Sequence, residues 1–106
     1  MRTNKNFILR GIADEYMLVP INEAAQEFNG ILHLTETASF IWKMVDQCET
    51  ITDIVKKVIE EYEVDEETAK KDVFGFLWEF YIRGFVLDIP ELESIKQELE
   101  SKAAVK

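Results

Sequence analysis

The chain has 106 residues, one domain's worth, and its 47% apolar and 31% charged side chains describe a soluble globular protein, not a disordered tail. A net charge of −9, from 12 basic and 21 acidic residues, argues against nucleic acid or an anionic membrane surface as partner, because both are held through clustered Lys and Arg. A single cysteine, Cys48, allows no internal disulfide. The polar start Met1 to Asn6 has no apolar signal core, and no apolar run approaches the ~20 residues of a bilayer crossing, so a cytoplasmic protein is expected.

Phe7 to Ile12 and Tyr16 to Pro20 are β-prone runs, and Ala13-Asp14-Glu15 between them has the length of a hairpin loop. Pro20 has no amide N–H, so it ends the second strand or sits at an edge. Asn22 to Asn29 reads as a polar connector containing three acceptable helix formers, Ala24, Ala25 and Gln26. Asn29-Gly30 reads as a turn. Ile31 to Leu34 follows as a short third strand.

Thr35 or Thr37 caps a first helix that runs to about Gln47, with Ala38, Ile41, Met44, Val45 and Cys48 at three- and four-residue spacing. Thr50 or Thr52 caps a second, whose stripe is Ile51, Ile54, Val55, Val58, Ile59 and Tyr62. Asp65 caps a third, from Glu66 to about Arg83, with Gly84 just past its end. Phe85-Val86-Leu87 is a short apolar run, either a return strand or a plug under the core. Pro90 opens a last helix with a narrow stripe of Leu92, Ile95 and Leu99, and Ser101 to Lys106 should fray. This order predicts an α+β, winged-helix-like domain: a small three-stranded antiparallel sheet followed by three helices, plus a C-terminal tail helix. The boundaries expected are 1–88 for the domain and 89–106 for the helical extension.

The third helix carries too much apolar surface for one face. Between Val73 and Ile82, eight of ten residues are apolar or aromatic. At about 100° per residue, Ala69, Val73, Phe76, Leu77 and Phe80 make the core stripe, and Phe74, Trp78, Tyr81 and Ile82 fall on the adjoining flank with Lys71 beside them. Such a flank is either covered by the sheet or exposed as an interaction site. Gly75 interrupts this helix at a cost of about 1 kcal/mol against alanine.

The chemistry of catalysis is missing from the sequence. His33 is the sole histidine and reads as a strand residue on a solvent or groove face; Cys48 reads as a core cysteine. One Cys and one His cannot make a zinc cluster, and Gly11, Gly30, Gly75 and Gly84 form no phosphate loop. The acidic pairs lie on predicted helix exteriors or first turns, where solvation and the helix dipole account for them. A non-enzyme without metal or other cofactor is expected.

Three stretches carry a resemblance: Tyr16-Met17-Leu18-Val19-Pro20; Phe28-Asn29-Gly30-Ile31; and Leu34-Thr35-Glu36-Thr37-Ala38-Ser39-Phe40-Ile41-Trp42. With Tyr62-Glu63-Val64-Asp65, Asp72-Val73, Phe76-Leu77 and Gly84-Phe85-Val86, the chain from Phe7 to Asp88 resembles the coenzyme PQQ synthesis protein D family. Thr35 stands where that family usually has Asn, and either residue can cap a helix. The resemblance implies a domain that binds the leader region of a ribosomally made precursor peptide. It also implies presentation of that peptide, chaperone-like, to a peptide-modifying enzyme, often a radical SAM protein. It implies that the leader adds as a strand to the third strand and lies against the third helix. Mapped here, the leader-binding set is Gly30, Ile31, Leu32, His33 and Leu34, with Lys70, Lys71, Phe74, Trp78 and Tyr81. A homodimer is left open. The competing readings are a winged-helix DNA-binding regulator, disfavoured by the charge and the apolar third helix, and a structural subunit docked on a larger enzyme.

Overall fold

In the computed structural model, which describes residues 1–27 and 30–104, the three β-prone runs form one antiparallel sheet. β1 is Arg2–Thr3, β2 is Phe7–Ile12 and β3 is Glu15–Pro20. β2 and β3 pair from Phe7 opposite Pro20 to Ile12 opposite Glu15. The hairpin turn is therefore Ala13-Asp14 alone, and Glu15 belongs to the strand, not to a longer loop. Ala13 takes a φ of 56°, the left-handed backbone that a two-residue hairpin turn demands. β4, Leu32–Leu34, pairs on β3 through Leu18 opposite Leu32 and Tyr16 opposite Leu34, one residue shorter than the run that begins at Ile31. The order β2-β3-β4 leaves β4 on an edge.

The polar connector contains one helical turn, α1 at Ala24–Glu27, with Ala24 buried. The Asn29 half of the expected Asn29-Gly30 turn lies outside the described residues; Gly30 has a φ of 103°, which glycine adopts freely. α2 (Glu36–Gln47), α3 (Ile51–Tyr62) and α4 (Glu66–Ile82) then begin at local caps. Thr35 accepts from the Ala38 amide at 3.1 Å. Thr50 and Asp53 bond each other's backbone amides reciprocally, at 3.1 and 3.3 Å. Asp65 accepts from the Thr68 amide at 3.3 Å. The three helices bury Ile41, Val45, Ile54, Val58, Val73 and Leu77 in a common core with Leu18 of the sheet.

Two features depart from the expected order. The polar start Met1 to Asn6, for which no element is expected, contains a strand: β1 pairs with β5, Val86–Leu87, as a second two-stranded sheet. Thr3 is buried there, and both its amide and its hydroxyl donate to Asp46 of α2, at 2.9 and 2.6 Å. Two residues are too few to show a period, so this strand has no sequence signature. The second departure is in α5, Pro90–Ala104. Of its predicted stripe only Leu92 is buried, beside Ile89; Ile95 and Leu99 are exposed. The apolar run Phe85 to Leu87 serves in both expected ways, as Val86-Leu87 pairs with β1 while Phe85 is buried under the core.

Candidate functional site

Among the described residues β4 is paired on one side only, which leaves its other backbone edge to a further strand. Beside this edge opens a cavity of about 420 Å³. Gly30, Ile31 and Leu32 form its strand side, and Ile31 is 50% exposed. Leu18 and Pro20 of β3 form a second side. Its floor is aromatic: Phe7 and Phe85 meet edge-on with ring centres 4.7 Å apart. The ring contacts continue from Phe85 to Phe80 and from Phe80 to Phe76, each at 6.4 Å, which ties the floor to α4.

The cavity's one charged lining residue, among the described residues, is Arg83. Its guanidinium lies 3.4 Å from Glu79, and both side chains are about half exposed. Such a pair contributes little and can be exchanged for another carboxylate. Arg83 is held by the way α4 ends. Gly84, with φ 79°, donates its amide to the Tyr81 carbonyl at 3.1 Å, and Phe85 donates to the Phe80 carbonyl at 2.8 Å. These are the paired bonds of a Schellman helix end, and Phe80 against Phe85 is its usual apolar contact.

The structure divides the sequence-predicted site residues among several places. Gly30, Ile31 and Leu32 line the cavity; Leu34 packs on the core from the same strand, and His33 between them is exposed. Lys70 and Phe74 do not reach this cavity. They line a second hollow, of about 310 Å³, between α3 and α4, together with Val55, Lys56 and Ile59. Phe74 is 44% exposed, and Lys70 is paired with Glu66 at 3.1 Å. Lys71 is exposed, while Trp78 is half-buried against the core. Tyr81 is engaged by the C-terminal helix: its hydroxyl donates to Glu93, and Lys96 sits 5.9 Å from its ring centre. The hydrogen bond to Glu93, with burial and that carboxylate's charge, pushes the Tyr81 hydroxyl up to about 12.

Helical geometry explains the division. Seven positions bring Arg83 back to within about 20° of Phe76, whereas Phe74 lies about 160° from Phe76. Arg83 marks the cavity side of α4, so Phe74 belongs to the other flank. Gly75 makes no close approach, since a Cβ there would meet nothing within 4 Å. Cys48, half-buried at the end of α2, has its thiol pushed up by burial. Among the described residues no three His, Cys, Asp or Glu side chains gather to hold a metal, and no helix is long and apolar enough to cross a membrane.

Sequence reasoning missed Phe7, Leu18, Pro20, Arg83 and Phe85 as residues lining this cavity. The apolar run after Gly84 was a usable signal for Phe85, whereas nothing local distinguishes Arg83 from a solvated cation.

The sequence pattern described as Coenzyme PQQ synthesis protein D (PqqD) matches residues 15–86. No curated protein matches the chain by sequence. Two solved structures share its fold. TbiB1 in complex with the TbiA(beta) leader peptide superposes with a TM-score of 0.67 at 21% identity, over 84% of this chain and 98% of that one. Lasso peptide synthetase B1 complexed with the leader peptide gives 0.64 at 17% identity, over 82% and 96%.

Proposed function

The chain belongs to the coenzyme PQQ synthesis protein D family, and from that premise we propose that it is a non-catalytic cytoplasmic protein that captures the leader of a ribosomally made precursor peptide and presents it to a modifying enzyme, a radical SAM protein being the expected partner. The observation that carries the reading is the open edge of β4 beside an apolar cavity. An extended peptide laid along Leu32 to Leu34 gains main-chain hydrogen bonds without sequence preference, and alternate side chains can enter the cavity and supply specificity. The two structural neighbours, both solved with leader peptides bound, support this reading.

The leader is placed along Gly30 to Leu34, over the Phe7–Phe85 floor. Arg83, at the cavity, is better sited than Lys70 or Lys71 to meet an acidic leader residue, for up to ~1 kcal/mol as an exposed pair. Lys70, Lys71, Phe74 and Trp78 are left to a peptide segment continuing past the cavity. Residues 1–88 form the recognition domain in this proposal and 89–106 its extension.

The test is calorimetric titration with a synthetic leader of the precursor peptide encoded beside the gene, followed by amide exchange of the complex. The amides of β4 should exchange more slowly once the leader is bound. Binding that leaves β4 exchange unchanged would eliminate strand addition here.

A further inference from the structure

The first six residues lie outside the matched family pattern, which begins at residue 15, yet they join the two walls of the cavity. Asn4 is the junction. Its carboxamide donates through Nδ2 to the Gly84 carbonyl at 2.8 Å and accepts through Oδ1 from the Asn6 amide at 2.9 Å. Its backbone amide donates to the Phe85 carbonyl at 2.9 Å, and its carbonyl accepts from the Phe7 amide at 3.1 Å. Asn6 in turn accepts from the Ile21 amide at 2.8 Å, just beyond Pro20. Asn4 and its neighbour therefore bind both the turn that carries Arg83 and Phe85 and the strand ends that carry Phe7 and Pro20, all four of which line the cavity. Gly84 is the left-handed residue on which the end of α4 turns, so a bond to its carbonyl fixes the direction in which Arg83 and Phe85 leave the helix.

We infer that Asn4 is a positioning residue for the leader cavity: the N-terminal strap sets the distance between the cavity's two walls before the peptide arrives. The inference rests on the leader-binding reading above. It says that part of the affinity comes from residues that never touch the peptide, through a floor held ready instead of ordered on binding.

The strap's other anchor supplies the control. Asp46 accepts from the Thr3 amide, the Thr3 hydroxyl and Lys5, the last at 2.8 Å. Removing it loosens β1 from α2 but leaves every bond of Asn4 in place. Asn4→Ala should weaken binding of the synthetic leader fivefold or more. Asn4→Asp, which keeps the acceptor for Asn6 but loses the donor to Gly84, should behave like Asn4→Ala. Asp46→Ala should lower Tm by at least as many degrees as Asn4→Ala while changing leader affinity less than twofold. A purely structural role predicts that affinity follows Tm across the three variants, and that result would overturn the inference. So would Asn4→Ala binding as well as the parent. If the parent protein does not bind the leader, the leader-binding reading itself fails and takes this inference with it.

Discussion

The hollow beside β4 and the hollow between α3 and α4 are similar in size, about 420 and 310 Å³, and both present mostly apolar surface, although Thr52, Lys56, Glu66 and Lys70 also line the second. They differ in what borders them. The first has a strand with an unpaired backbone edge along one side. The second lies between two helices whose amides and carbonyls, beyond the first and last turns, are bonded within each helix, so it offers a partner no continuous strand edge. An extended peptide of varied sequence needs main-chain partners, because its own N–H and C=O groups lose water on binding. Apolar area alone therefore does not identify a peptide groove; apolar area beside a free backbone edge does. The lysine-rimmed hollow with Phe74 fits a helix or a side-chain patch better than a strand.

The largest effect should come from the core that underlies both hollows. Leu77 is fully buried on the core face of α4, and Leu77→Ala should cost ~2–5 kcal/mol in urea unfolding. A loss under ~1 kcal/mol would mean that the two hollows are not built on one packed helix. The next effect separates them. Ile31→Ala, at a half-exposed cavity residue, should leave the fold intact and weaken leader binding tenfold or more, about 1.4 kcal/mol. Phe74→Ala, at the flank left to the segment continuing past the cavity, should weaken leader binding less than Ile31→Ala does. The reverse order would move the peptide to the flank of Phe74, Trp78 and Lys71 and leave β4 as an ordinary sheet edge.

What could be read from the sequence follows the range of the interactions involved. Caps and helix ends are decided within three or four residues, so Asp65 and Gly84 were legible and the first two caps were narrowed to Thr35 or Thr37 and to Thr50 or Thr52, of which the structure uses Thr35 and Thr50. The stripes Ile41–Val45 and Ile54–Val58 repeat often enough to fix the buried faces. The excess of apolar surface on α4 was legible too, but not which flank meets the strand. Helical angle separates Phe76 from Phe74, but that the cavity opens at Arg83, on the Phe76 side, depends on where the fold brings Gly30 to Leu32. β1 could not be found, because its partner strand is Val86–Leu87, at the far end of the domain in sequence, and its other anchor, Asp46, is 43 residues from Thr3. Ile95 and Leu99 repeat like a buried stripe, but the body of the domain ends near Leu92, so periodicity there overstated burial.

The smallest expected effect concerns Tyr81, which lies on the helix that ends at the β4 cavity but is committed to α5. Its hydroxyl donates to Glu93, and that bond, helped by burial and the nearby carboxylate charge, holds the proton up to about 12 against an ordinary 10. A folded-state pKa raised above the unfolded value stabilises the protein fully below pH 10, and the contribution is lost as pH rises from 10 toward 12. The contact is only partly buried, so it should contribute no more than about 1 kcal/mol to holding α5 on α4. Tyrosinate absorbance of the parent minus that of Tyr81→Phe should report a group titrating near pH 12, and Glu93→Gln should bring it back toward 10. Tyr81 faces α5 instead of β4, so Tyr81→Phe should bind the leader as tightly as the parent at neutral pH. Titration of Tyr81 near 10 in the parent would show that α5 does not rest on it. Weakened leader binding by Tyr81→Phe would show that the two flanks of α4 are coupled, and the division between the hollows would then be one of geometry but not of energy.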